Sequence, residues 1–69
     1  MPSSFANRLK EILSIRGMSA AELARLTNTP ESVISQYKNG HYEPKQRRLQ
    51  TFSEVLNVSI PWLMGADVP

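Results

Sequence analysis

Residues 19–40 read SAAELARLTNTPESVISQYKNG, and the rest of the chain is best understood outward from them. Ser19-Ala20-Ala21-Glu22 forms a capping box: the serine hydroxyl accepts a first-turn N–H while the glutamate reaches back to the cap. Met18, one residue before the cap, is placed to staple onto Leu23. Leu23, Ala24 and Leu26 continue a short helix, which the poor helix formers Thr27-Asn28-Thr29 interrupt. Pro30 restarts helical structure, with Thr29 as the predicted cap and Glu31 at the positive end of the new helix dipole. Val33, Ile34 and Tyr37 make a narrow apolar seam, and Asn39-Gly40 supplies the stop. Asn-Gly also marks hairpins, but neither flank alternates as a strand would, so a helix cap is the reading adopted.

Upstream, Phe5, Leu9, Ile12 and Leu13 repeat at helical spacing after Ser3 or Ser4, either of which can cap. Arg16 falls in the last turn of that helix and Gly17 just beyond it. Downstream, His41-Tyr42-Glu43-Pro44 is a loop, and Leu49, Phe52, Val55 and Leu56 define a fourth helix ending at Asn57. Ser59 caps a last turn, Pro61-Trp62-Leu63-Met64, closed by Gly65. Asn57-Val58-Ser59 also spells a glycosylation sequon, but the same residues serve as one helix's C-cap and the next one's N-cap. No strand signal is present, so the predicted fold class is all-α with five helices.

Composition narrows the function classes. The chain has 69 residues, no cysteine, 41% hydrophobic and 20% charged residues, which fits one small packed domain without disulfides or cysteine-ligated metal. No apolar run can span a bilayer and no secretory leader is visible, so a cytoplasmic location is expected. His41 is a lone loop histidine without a second ligand, so no metal or other cofactor is expected. There is no paired acid–base set and no phosphate-cradling glycine loop, which argues against an enzyme. The net charge of +2 is mild. Its placement is more informative: Lys38, Lys45, Arg47 and Arg48 fall within residues 37–48 against one acid, Glu43.

Two short helices joined by a tight break have the helix-turn-helix spacing, in which the second helix can enter the DNA major groove while the first crosses the backbone. The turn needs a residue tolerant of positive φ, and Asn28 suits it. With Val33, Ile34 and Tyr37 facing inward, Glu31, Ser32, Ser35 and Gln36 face elsewhere. These side chains suit base edges: Gln pairs two-pronged with adenine, Ser meets several edges and Glu accepts from cytosine.

Ser19, Glu22-Leu23-Ala24, Ile34-Ser35, Gly40, Pro44, Leu56-Asn57-Val58-Ser59 and Trp62-Leu63-Met64-Gly65 stand in an ordered series from Phe5 to Gly65. In this the chain resembles the phage-repressor/Cro-type, or lambda-repressor-like, helix-turn-helix domains, and most of all repressors of temperate phages from Gram-positive bacteria. The resemblance implies a compact five-helix domain over residues 1–65, with residues 66–69 a tail or the start of a linker to a second domain. It implies a sequence-specific, operator-binding repressor that acts on double-stranded DNA as a homodimer, with a C-terminal domain outside this sequence as one means of pairing. No membrane and no small-molecule substrate is implied.

Carried over residue by residue, Glu31, Ser32, Ser35 and Gln36 match the base-reading face. Ser19, Lys38, Asn39, the Gly40 backbone and Lys45 match phosphate contacts. Departures from the family pattern are informative. Ala20 stands where a phosphate-touching Gln is usual, and Thr27 and Thr29 replace buried aliphatics, which is expected to loosen that corner. Leu13 and Lys38 replace an Arg–Glu pair, freeing Lys38 for phosphate. Arg47 and Arg48 read equally well as solubilising charges, and Tyr42 as a phosphate donor or a packing residue. The competing function is a helical protein–protein module such as an antitoxin or adaptor, which would expose an apolar patch around Ile60, Trp62 and Met64.

Overall fold

The computed structural model describes residues 4–67. Five helices follow one another: α1 Ser4–Arg16, α2 Ala20–Thr27, α3 Glu31–Lys38, α4 Gln46–Leu56 and α5 Ile60–Leu63. Among the described residues there is no strand, and no helix is long and apolar enough to cross a membrane. Every helix ends on the same device. Gly17, Asn28, Gly40, Asn57 and Gly65 all take positive φ. The N–H of the following residue then reaches back five residues to a helix carbonyl, as from Thr29 to Ala24 and from His41 to Gln36. This motif satisfies carbonyls that a helix terminus would otherwise leave unpaired. It also turns the chain sharply, which lets five short helices fill a body of only 28 × 25 × 23 Å.

The core is most of the set that the periodicities select. Phe5, Leu9, Ile12 and Leu13 of α1 are buried with Leu23, Ala24, Ile34, Tyr37, Leu49, Phe52, Leu56 and Leu63. Three rings knit α1, α3 and α4 together. Tyr37 meets Phe5 edge-on at 5.8 Å and Phe52 at 6.0 Å, while Phe5 and Phe52 stack at 6.4 Å. Aromatic pairs at such separations add to the burial of their surfaces. Val33 and Val55 are only half-buried, and Leu26 is exposed, because Leu23, Ala24 and Thr27 form the inward stripe of α2.

Three local expectations need correction. The break is Asn28-Thr29-Pro30, since Thr27 is still helical. Thr29 does not cap α3: Pro30 occupies the N-cap without a side-chain bond, and the Thr29 hydroxyl donates to the Thr27 carbonyl at 3.2 Å. Glu22 does not complete the capping box; its carboxylate lies 3.8 Å from Arg25 instead. At the amino end, Ser4 is already helical, and Ser3 lies outside the described residues. Residues 68 and 69 of the expected tail also lie outside them, while Ala66 and Asp67 carry no helix.

Candidate nucleic-acid interface

The chemistry of α3 is set by its two faces. Ile34 and Tyr37 point into the core, Val33 and Lys38 sit at its margin, and Glu31, Ser32, Ser35, Gln36 and Asn39 are exposed. The exposed residues recur at helical spacing, so they form one continuous polar strip opposite the seam. Among the described residues nothing folds over that strip. All four predicted base readers are therefore brought together on one accessible surface.

What holds this surface in place begins at the turn. Asn28 adopts φ 53°, and its N–H and that of Thr29 satisfy the last carbonyls of α2. The buried Thr27 hydroxyl donates to the Leu23 carbonyl at 2.7 Å. With Thr29 also bonded, both threonines replace aliphatic residues without leaving a buried polar atom unpaired. Upstream, the Ser19 hydroxyl accepts the Glu22 N–H at 3.1 Å and caps α2, while the residue itself stays exposed.

The predicted phosphate contacts other than Ser19 divide between two places. Lys38, Asn39 and Gly40 form the carboxyl end of α3, and Lys45 stands at the N-cap of α4 across the 41–45 loop. Lys45 and Asn39 are exposed and Lys38 is half-buried. The Gly40 N–H is already bonded to the Tyr37 carbonyl at 3.1 Å, so the glycine offers bare backbone rather than a free donor. Ser19 is distant from Lys45 in sequence but shares a groove with Lys38.

Arg48 is one of the residues whose role the sequence left open. Its Nη1 donates to the Tyr37 hydroxyl at 3.0 Å, bridging α4 to the inner face of α3. Tyr37, Tyr42, Lys45, Arg47, Arg48 and Thr51 line an open groove of about 510 Å³ beside that bridge. The only sequence signal was the place of Arg48 beside Leu49 and one helical turn before Phe52, at the edge of the buried stripe. Arg47 stays exposed.

The surface that a protein–protein module would use is less open. Arg8 lies 4.6 Å over the Trp62 ring, Ile60 and Trp62 are half-buried, and Met64 is exposed. Among the described residues, Ile15 and Leu26 are the other large exposed aliphatic side chains.

Known proteins share this fold. The structure resembles a transcriptional regulator from Listeria innocua, with TM-score 0.85 and 22% identity over the whole of this chain and 64% of the other. It also resembles the restriction-modification controller protein C.AhdI from Aeromonas hydrophila, with TM-score 0.81 and 21% identity over 88% of this chain and 92% of that one. A third likeness is to an HTH_3 family transcriptional regulator from Vibrio cholerae, with TM-score 0.82 and 28% identity over 94% of this chain. The chain spans 64% of the length of the Listeria protein and 36% of that of the Vibrio protein. No curated protein matched the sequence. A family model described as helix-turn-helix, HTH_3, matches residues 9–63, which include all five helices in whole or in part. With the two-helix unit, its left-handed turn and its open polar strip in place, the chain belongs to the HTH_3 helix-turn-helix family, whose members are DNA-binding regulators.

Proposed function

We propose that this domain reads an operator in double-stranded DNA and represses transcription there, as the DNA-binding part of a phage- or prophage-type regulator. The observation that carries the reading is the exposed strip Glu31, Ser32, Ser35 and Gln36, opposite a seam anchored in the core. In this account α3 lies in the major groove and α2 crosses the backbone. Gln36 pairs with adenine, the serines meet neighbouring base edges, and Glu31 accepts from cytosine. Ser19, Lys38, Asn39 and Lys45 hold phosphates, and Gly40 lets the backbone approach where a side chain would intrude. Phosphate contacts fix register and supply salt-dependent affinity, while base contacts choose the sequence. Bound at an operator, the domain excludes other proteins from that stretch of DNA, and repression follows from occupancy alone.

A single small module covers about 600–1,000 Å² on DNA, which favours pairing of two copies for tight binding. Two subunits on a pseudo-palindrome sit about 34 Å apart, one helical turn. With about three phosphates neutralised per subunit, the affinity falls with a log–log salt slope of roughly −5. Residues 1–65 form the binding domain in this reading, and residues 66–69 lead away from it.

Selection of bound duplexes from a random pool tests the proposal. The wild-type chain enriches a defined motif, Gln36→Ala changes which sequences win, and Lys45→Ala weakens all of them alike. If the wild-type chain enriches no motif even as a forced dimer, the operator reading is wrong.

A further inference from the structure

Three separate segments converge on a groove of about 470 Å³ at the amino end of α2. Lys10 and Ser14 come from α1, Ser19 from the cap of α2 and Lys38 from the last turn of α3. Leu13, buried, Gly17, and Met18, half-buried, complete the lining. Lys10 lies far outside the basic 37–48 segment, so neither the charge distribution nor the motif series singles it out.

The chemistry of the groove is one-sided. No acid lines it: Glu11, the neighbour of Lys10, is absent from its walls, and Glu22 lies near Arg25 instead. Among the described residues neither lysine is ion-paired. Two lysines lining one groove without an acid make its local potential positive, which favours an anion there. The serine at the groove's edge can add a donor. The Ser19 oxygen accepts the Glu22 N–H, and its hydroxyl proton remains available to an acceptor in the groove. Two cations and a hydroxyl donor suit an oxyanion.

We infer that Lys10 is a phosphate-contacting residue, and that Lys10, Ser19 and Lys38 clamp a single phosphate of the DNA backbone in this groove. The inference rests on the operator-binding reading and deepens it. It extends the phosphate track from the 38–45 segment across the start of α2 onto α1, so one subunit grips the strand on both flanks of α3. A free phosphate ion offers the same chemistry, and the test separates the two sources.

The experiment measures the salt dependence of binding to the motif selected by the wild-type chain, comparing it with Lys10→Ala and Lys10→Arg. Lys10 is exposed, so the alanine variant folds, which circular dichroism checks. The expected result is a shallower salt slope for Lys10→Ala, by no more than roughly 0.9 per subunit because Lys38 still faces the same phosphate, with an unchanged motif and recovery of the slope in Lys10→Arg. A slope equal to wild type in Lys10→Ala overturns the inference while leaving the operator reading intact, since that reading is judged by motif enrichment. In parallel, the free protein is titrated with inorganic phosphate and followed by NMR at the Lys10 and Lys38 side chains. Saturable shifts there, combined with an unchanged slope on DNA, overturn the backbone assignment in favour of a free-anion site.

Discussion

Tyr37 and Arg48 meet where α3 is tied to the rest of the molecule. The tyrosine ring is held by Phe5 and Phe52, and its hydroxyl accepts from the Arg48 guanidinium at 3.0 Å. Gln36 and Lys38 flank Tyr37 in the chain, so a looser ring means a looser hold on the surface proposed to read DNA. Removing either end of a hydrogen bond of this kind costs about 1 kcal/mol. Tyr37→Phe and Arg48→Ala are each expected to lower stability by about that amount in urea denaturation, and the double variant by clearly less than the sum. Additive losses would mean the bond contributes nothing. This pairing was not legible in the sequence. Eleven residues separate the partners, and an arginine in the first turn of α4 looks locally like a solvated charge. The forked bond from Arg16 to the Leu56 carbonyl, at 3.2 and 3.0 Å, was hidden for the same reason. Local rules find caps and seams, whereas a long side chain chooses its partner only once distant helices are in place.

At the scale of elements the sequence was far more readable. The five left-handed stops were identifiable because only glycine and, less readily, asparagine accept that conformation cheaply. Asn28→Ala keeps a Cβ but loses the asparagine's tolerance of positive φ, and is expected to destabilise the domain by about 1 kcal/mol, with Asn28→Gly near neutral. The misreading at α3 has an equally local cause. A threonine before a proline looks like a cap, but here burial turns the Thr29 hydroxyl inward to the Thr27 carbonyl, and the proline takes the cap position. Ser19 allows its two roles to be separated. Ser19→Ala loses the cap of α2 and about 1 kcal/mol of stability. Ser19→Asp keeps the cap, since aspartate caps as well as serine, but sets a negative charge against the proposed phosphate. Thermal melting should therefore leave Ser19→Asp close to wild type while its DNA affinity falls; equal affinity would remove Ser19 from the phosphate contacts.

For the molecule as a whole, the small size makes each long-range contact matter. A domain of this length has only a thin margin of stability, so Phe52→Ala, at a cost of about 3–5 kcal/mol, is expected to leave little folded protein at 37 °C by circular dichroism. Gly65 closes the fold onto its own beginning. Its φ is +96°, and an added Cβ would sit 2.8 Å from the Ser4 Oγ and closer still to its Cβ. Gly65→Ala is expected to lower the melting temperature by strain and by prying α5 from α1. In the proposed reading, this architecture holds one polar strip of α3 open to a duplex. NMR of the labelled domain with its selected duplex addresses that directly. The account predicts the largest backbone shifts at Glu31, Ser32, Ser35 and Gln36, with a second set at Lys45. Shifts confined to the Ile60–Met64 surface, with α3 unmoved, would contradict it.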